Sequence, residues 1–170
     1  MNRLVFNSTP LIYLSKVGLS GIIENLREEK LTSPLVKVEV VDKGKQKGVP
    51  DAIMLEKLFE NGVFKLYNPK DKLLLSRLSK TRGLHVADAE ILALAKEQAA
   101  LAVIDDEVTR KTAKVYKISY VGTPYVLARA VFEEFLSKEQ AKAAVKDMVT
   151  IGWRCNVETY AKIIELIDKM

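Results

Sequence analysis

The sequence predicts an α/β protein, a three-layer α/β/α sandwich whose central sheet is parallel, with further helices at the C-terminal end. Short apolar runs that suit strands buried on both faces alternate along the chain with helical patterns. Such alternation is typical of a parallel sheet covered by helices. The chain has 170 residues, of which 48% are hydrophobic and 29% are charged. This length and composition suit one folded domain with a core of its own.

The strands are predicted where short apolar runs are bounded by turn-forming or polar residues. Period alone does not distinguish runs this short from helices, so their alternation with longer helical patterns carries the prediction. The predicted strands are residues 3–6, 31–32, 63–67, 101–104 and 118–121.

The helices are predicted from capping residues and hydrophobic spacing. Thr9 is the expected N-cap of the first helix and Pro10 its first residue, with Gly18 at its end. Pro34 opens a helical segment, and the basic run at 43–48 is predicted to be a solvated loop. The helix at 50–60 is predicted to face inward with Ile53, Leu55 and Leu58. The other helices are predicted at 21–27, at 71–78, between Leu84 and the strand at 101–104, and at 107–116, 125–136, 138–150 and 157–169.

Residues 1–136 are expected to form the sheet-containing domain, and residues 137–170 a helical extension packed on the same domain. The formal charge of +5 and the pI near 9.2 permit an anionic partner such as nucleic acid without requiring one. A single cysteine, Cys155, excludes an internal disulfide and fits a cytoplasmic location. No apolar run reaches the roughly 18 residues that cross a bilayer, so no membrane association is expected.

Acidic and amide side chains are predicted to gather beyond the carboxyl ends of the strands, where functional groups of open parallel sheets collect. Asn7 follows the first strand, and Asp105 and Asp106 follow the strand at 101–104. Asp88 lies in the first turn of the helix that leads into that strand. Grouped carboxylates repel one another unless a cation lies between them. Oxygen ligands, in a chain with one cysteine and one histidine, favour magnesium or manganese over zinc.

Further charged residues accompany these acids. Glu39 is an acid within an otherwise apolar helical segment. Glu90, two positions after Asp88, faces elsewhere on the helix, and we expect it to support the site without ligating an ion. Basic residues that flank the acid motifs are candidate phosphate contacts. They are Lys80, Arg82, Arg110 and Lys111.

Each candidate also has a structural interpretation. Asp88 at a helix start is stabilised by the helix dipole in any case, and Asp106 can simply cap the helix that follows it. Glu39 can be an ordinary surface acid, and Asn7 a turn residue. The basic residues can be solvated charges. Structural roles are preferred for the remaining singular residues: His85 as a loop residue, Trp153 in packing, and Cys155, which lacks a partner histidine, as a structural thiol.

Three separated motifs, in order, resemble the PIN-domain family. They are NSTPLIYLSKVGL after the first strand, ADAEILALAKEQAALAVIDDEVTRKTA in the middle, and VGTPYVLARA after the last strand. The closest likeness is to an archaeal and bacterial subgroup of formerly unknown function that is related to VapC toxins. The likeness extends to the tail, where IGWRCNVETYAKII resembles the C-terminal helices of that subgroup.

The resemblance implies an endoribonuclease that hydrolyses RNA phosphodiester bonds with water activated by Mg²⁺ or Mn²⁺ at an acidic cluster. Carried over by motif, the cluster comprises Asn7, Glu39, Asp88 and Asp106, with Asp105 as a possible substitute for its neighbour. Glu39, Asp88 and Asp106 would be the catalytic carboxylates, and Ser8 and Thr9 match hydroxyl residues that steady the first ligand. The family also implies an RNA substrate, a possible antitoxin protein and a homodimer.

The chain departs from the family pattern at Asn7, where active enzymes usually have aspartate. An amide oxygen can ligate a hard cation, but the site loses one negative charge and holds the ion more weakly. A second departure is Ala87, where relatives tend to have glycine.

Two other functions remain open from the sequence. A catalytically weakened or inactive PIN-fold protein would bind RNA or a protein partner without holding an ion. A nucleotide-binding α/β protein is disfavoured, because the first strand is followed by Asn-Ser-Thr-Pro and no glycine-rich phosphate loop.

Overall fold

The computed structural model describes residues 3–170. Its centre is a five-stranded sheet in the order β3-β2-β1-β4-β5, and every neighbouring pair of strands is parallel. The strands are β1 (Arg3–Phe6), β2 (Glu29–Thr32), β3 (Phe64–Leu66), β4 (Leu101–Val103) and β5 (Tyr120–Val121). The predicted fold class is confirmed.

Helices follow each strand. They are α1 (Ser8–Lys16), α2 (Ile22–Asn25), α3 (Pro34–Lys37), α4 (Lys43–Gln46), α5 (Pro50–Glu60), α6 (Lys72–Ser79), α7 (Val86–Glu97), α8 (Glu107–Val115), α9 (Thr123–Phe132), α10 (Lys138–Thr150) and α11 (Val157–Lys169). A π-helical turn, Val38–Asp42, joins α3 to α4. Helices α6, α7 and α8 pack together, whereas α1, α5 and α10 belong to a second group of mutually packed helices. The core lies between these layers and the sheet, and Leu4, Val5 and Phe6 of β1 are fully buried in it.

The order of the strands reverses at β1. After β1 the chain moves outward through β2 to β3 and then crosses back to place β4 on the other side of β1. Ligands of open α/β sheets bind at such a reversal, beyond the carboxyl ends of the two strands. The backbone N–H of Asn7 donates to the carbonyl of Val103 at 3.1 Å, which extends the pairing one residue past β1. The segments that follow β1 and β4 therefore begin side by side.

The first helix begins earlier than the sequence predicted. Asn7, not Thr9, is the N-cap, and Ser8 is the first helical residue. Pro10 is consequently the third residue of α1, where its missing N–H removes no hydrogen bond because first-turn N–H groups have no partner within the helix. The predicted end is confirmed by Gly18, which lies just past the helix with a φ of 74°.

The predicted loop at 43–48 is wrong, because α3, the π turn and α4 form one uninterrupted helical segment. Lys43, Lys45 and Gln46 are exposed, yet they are helical. A methyl group at Gly44 would lie only 2.7 Å from the Cβ of Ala52, so the absence of a side chain lets α4 pack closely on α5. This contact between helices is not visible in the local composition.

Two other helices differ from prediction in detail. Leu55 and Leu58 of α5 are buried as predicted, but Ile53 is 52% exposed, and Ala52 takes its place on the buried face. Helix α9 covers 123–132 in place of 125–136, and it is followed by Glu134 with a positive φ of 63°.

The C-terminal helices have the predicted bounds and share the main core. Helix α10 packs against α1 and α9, and α11 packs against α9 and α10. Met148, Ile163 and Ile167 belong to the same buried cluster as the sheet. No helix within residues 3–170 combines the length and the apolar character needed to cross a membrane.

We expect Gly44→Ala to lower the free energy of unfolding by about 1–3 kcal/mol, because the added methyl group separates α4 from α5. Urea denaturation followed by circular dichroism measures the change. Gly21→Ala is the control, since no atom lies within 4 Å of a Cβ there and its φ of −63° suits alanine. Equal stability of Gly44→Ala and Gly21→Ala would contradict the close packing.

Candidate functional site

Asn7 lies at the carboxyl end of β1 and is 3% exposed. As the N-cap of α1 it would normally accept from the second or third helical N–H, but the third residue here is Pro10. Its Oδ1 instead accepts from the backbone N–H of Ser8 at 2.8 Å, and its Nδ2 donates to Oδ1 of Asp88 at 2.6 Å. The amide thus joins the end of β1 to the start of α7.

Asp88 is the third residue of α7 and is 8% exposed. While Oδ1 accepts from Asn7, Oδ2 accepts from the backbone N–H of His85 at 3.1 Å. The second bond is half of a capping box, in which an acid in the first turn reaches back to the N-cap N–H. Asp88 therefore fits both interpretations from the sequence, a structural role at a helix start and a place in the acidic site, since the same carboxylate caps a helix and faces the end of the central strand.

Glu39 lies on the exposed side of the π turn, and its Oε2 accepts from the hydroxyl of Ser8 at 2.6 Å. Val36, Val40 and Val41 of the same segment are buried, so packing of the valines fixes which way Glu39 faces. π turns within helices occur frequently at functional sites. Two consecutive residues, Asn7 and Ser8, thus each donate a hydrogen bond to an acid from a different element.

Asp106 is the N-cap of α8. Its Oδ2 accepts from both the backbone N–H and the hydroxyl of Thr109, each at 2.8 Å. The capping role proposed from the sequence is therefore confirmed. The residue is exposed at the same edge of the sheet as Asn7, three positions beyond Val103, the partner of the Asn7 N–H.

Asp105 is held quite differently from its neighbour. Its side chain is only 6% exposed, and both oxygens accept hydrogen bonds. Oδ1 accepts from the backbone N–H of Thr123 at 2.9 Å, and Oδ2 accepts from the Thr123 hydroxyl at 2.5 Å and from the Trp153 indole at 3.1 Å. Arg110 lies 3.4 Å from Oδ1. This carboxylate joins β4, α8, α9 and the loop before α11, which is a positioning role.

Arg110 is fixed within the protein. Its Nε donates to the carbonyl of Ile104 at 2.9 Å, and its guanidinium also contacts Asp105. The guanidinium lies against the backbone of Gly122, where any Cβ would overlap it. The glycine of the VGTP motif is thus required by a close approach of this side chain, and Arg110 is largely committed to structure.

Sequence reasoning missed the contribution of Thr123 and Trp153. Trp153 is buried, as expected for a packing residue, but its indole N–H also reaches Asp105, 48 positions earlier in the chain. The VGTP motif was a signal for Thr123, while no local signal pairs Trp153 with an acid. Burial raises the pKa of the neighbouring Cys155 thiol, which keeps it protonated near neutral pH and fits a structural thiol.

The predicted phosphate contacts fall into two classes. Arg110 is used internally, and Lys111 pairs with Glu107 at 2.6 Å, an exposed contact of small energetic value. Lys80 and Arg82 are exposed in the segment between α6 and α7, and within residues 3–170 neither makes an ion pair. Arg154, which the sequence did not single out, is exposed beside Trp153.

The remaining predicted supporting residues do not bind the acids directly. Thr9 is half-buried in the first turn of α1. Glu90 is not among the hydrogen-bond partners of Asp88, and one of its carboxylate oxygens is buried without a partner in the described part of the chain. Its position, two residues after Asp88, places it on another face of α7.

The side chains fit a hard divalent ion in chemistry but only partly in arrangement. Glu39, Asp88 and Asp106 supply carboxylate oxygens, the ligands that magnesium and manganese prefer. Asn7, by contrast, presents N–H and not oxygen to Asp88. Across residues 3–170, no three His, Cys, Asp or Glu side chains are grouped so that they could hold a metal ion. In the described site, each of these acids accepts hydrogen bonds from neighbouring donors.

We expect Trp153→Phe to lower the free energy of unfolding by about 1.5–3 kcal/mol, because it removes a buried donor to a charged group. Circular dichroism in urea measures the loss. The double variant Trp153→Phe/Asp105→Asn tests the assignment. Its loss in free energy of unfolding should be smaller than the sum of the losses of the two single variants, by about 0.5–3 kcal/mol. Additive losses would mean that the indole and the carboxylate are not coupled.

A protein-family model described as a PIN domain matches residues 3–169. No curated protein matches the chain. The matched region includes α10 and α11 as well as the whole sheet, so the likeness covers the C-terminal helices that Asp105 joins to the strand ends. The chain belongs to the PIN-domain family.

Proposed function

We propose that the protein is a metal-dependent endoribonuclease of the VapC-related PIN type, which hydrolyses RNA phosphodiester bonds. The family supports a nuclease-type fold. The observation that carries the proposal is the placement of two acids, Asp88 and Glu39, beside Asn7 and Ser8 beyond the carboxyl end of the central strand. Ligand sites of open parallel sheets occur at this place.

Glu39, Asp88 and Asp106 would hold the Mg²⁺ or Mn²⁺ ion. When bound, such an ion lowers the pKa of water and stabilises negative charge on a phosphodiester in the transition state. We assign Asp106 and not Asp105 to this set, because Asp105 accepts three hydrogen bonds and its charge is already paired with Arg110. The Oδ1 of Asp106, in contrast, lies on an exposed residue, and Thr109 contacts only Oδ2.

The surrounding residues hold these carboxylates in place before substrate binds. Ser8 orients Glu39, the N–H of His85 orients Asp88, and Thr109 orients Asp106. Carboxylates that are already positioned need little rearrangement during reaction, which is the main contribution that a protein makes to phosphoryl chemistry.

RNA would be bound through its phosphates. Lys80 and Arg82 are exposed on the segment that leads into α7, the helix that carries Asp88. Arg154 emerges next to Trp153, whose indole is anchored on Asp105 at the end of β4. These cations, together with the net charge of +5, favour a polyanionic substrate near the acids.

A second function is a PIN-fold binding module without catalysis, which contacts RNA or a protein. The specific observation in its favour is the Asn7 amide, which donates to Asp88 where an active enzyme would bring an ion. Metal affinity and RNA cleavage distinguish the two functions.

Partners are proposed on the family resemblance. An antitoxin protein would neutralise a toxin of this type, and we expect the cytoplasm as the location and a homodimer as the assembly. Phe132 and Phe135 are 68% and 45% exposed beside the C-terminal helices, and this apolar surface would be covered by such a contact. Light scattering after gel filtration measures the mass, and a monomer at micromolar concentration would count against the dimer.

Asp88→Asn and Glu39→Gln should each reduce Mn²⁺-dependent cleavage of a structured RNA by at least about 100-fold, because each removes a charged ligand. EDTA should abolish cleavage by the wild type. Glu107→Gln is the matched control, since this acid neighbours Asp106 but pairs only with Lys111. Cleavage that survives in Asp88→Asn would exclude this site, and cleavage by no protein, wild type included, would favour the binding module.

Arg82→Gln should weaken binding of single-stranded RNA and lower the slope of log affinity against log salt by about 0.7, the value for one phosphate contact. Fluorescence anisotropy in EDTA measures binding without cleavage. Lys114→Gln is the control, because it removes an equally exposed charge in the last turn of α8. Equal slopes for the two variants would remove Arg82 from the binding surface.

A further inference from the structure

The orientation of the Asn7 amide is determined from both ends. The backbone N–H of Ser8 can only donate, so it requires the amide oxygen at 2.8 Å. Ionised Asp88 can only accept, so it requires the amide nitrogen at 2.6 Å. Turning the amide over would oppose N–H to N–H on one side and oxygen to oxygen on the other. The buried side chain therefore has one favourable orientation.

In this orientation Asn7 cannot offer its oxygen to an ion next to Asp88. The amide nitrogen faces Asp88 and the oxygen faces the start of α1, where the helix has few alternatives for its cap because Pro10 at the third position has no N–H. What faces Asp88 is a partial positive charge, the amide N–H, in the place where aspartate would present a second negative charge.

We propose that the Asn7 amide takes the place of a cation at Asp88, so that a divalent ion at Asp88 competes with this hydrogen bond. The ligand set rests on the proposed function, whereas the competition between amide and ion rests on the hydrogen bonds of Asn7 alone. The site would then be occupied only at high divalent-ion concentration, and ion availability would regulate it.

The hydroxyl of Ser8 acts on the second acid in the same manner. It donates to Glu39 at 2.6 Å, so two neighbouring residues of one N-terminal turn satisfy the two acids with neutral donors. An aspartate at position 7 would change this balance. One of its oxygens could cap Ser8, but the other would lie at hydrogen-bond distance from Asp88, and the repulsion between the carboxylates would be relieved by a cation or by a shared proton.

The test measures Mn²⁺ affinity and thermal unfolding, with no RNA present. Compared with the wild type, Asn7→Asp should unfold at a lower temperature in EDTA, bind Mn²⁺ at least about tenfold more tightly, and gain more stability from it, because the ligand charge increases. Asn156→Asp is the matched control, since it makes the same change at another helix N-cap, whose side chain accepts from Thr159. It should leave Mn²⁺ affinity unchanged.

Two further variants make the result decisive. Asn7→Asp combined with Asp88→Asn restores the hydrogen bond with the roles reversed, so stability in EDTA should return toward the wild type and the gain in Mn²⁺ affinity should disappear. Asn7→Ala removes the competing donor, so it should bind Mn²⁺ at least as tightly as the wild type. Weaker binding by Asn7→Ala would show that Asn7 supports ion binding, as a ligand or by holding Asp88, and would overturn the proposal, even if Asn7→Asp failed to fold.

Equal Mn²⁺ affinity of the wild type and Asn7→Asp would likewise overturn the proposal that the amide competes with an ion. The outcome is separate from that of the proposed function: a protein that cleaves no RNA can still show the competition, and an active nuclease that uses Asn7 as a ligand would fail the test.

Discussion

The parallel pairing of β1 with β4 is the constraint on which the site depends. These strands are separated by almost a hundred residues in the chain, yet the N–H of Asn7 bonds to the carbonyl of Val103. The pairing requires the long crossover through β3, α6 and α7 to return to the middle of the sheet. Because both strands are buried, their register cannot slip without moving apolar side chains out of the core. The residues that follow the two strands are therefore held in fixed relative positions.

A second structural link, centred on Asp105, connects the C-terminal helices to the same edge. One carboxylate accepts from Thr123 at the start of α9 and from Trp153 in the loop before α11. A buried charge with several donors is stabilised, whereas the same charge without them would be costly. The neighbouring Asp106 stays exposed. Two adjacent aspartates thus have separate tasks, one in holding the architecture and the other in facing solvent beside the candidate site.

The site itself shows how a neutral amide can satisfy a buried carboxylate. With aspartate at position 7, two carboxylates would face each other and would need a cation or a shared proton. With Asn7, the acids find neutral donors within the protein, from Asn7 to Asp88 and from Ser8 to Glu39. The scaffold of a nuclease-type fold is thereby compatible with a site that is stable without metal. Under the two proposals above, whether the protein acts as an enzyme or as a binding module would depend on how readily an ion displaces the amide.

The sequence by itself determined the alternation of strands and helices, several boundaries such as 50–60 and 138–150, and the placement of Asn7 after β1 and of Asp105 and Asp106 after β4. These features follow from local caps and hydrophobic spacing. Only the tertiary structure decided that Asn7 caps α1, that 43–46 is helical against α5, and that Asp105 is internal while Asp106 is exposed. The reason is physical: each depends on a partner far away in the chain, and neighbouring residues of the same type have no local difference from which such a partner could be inferred.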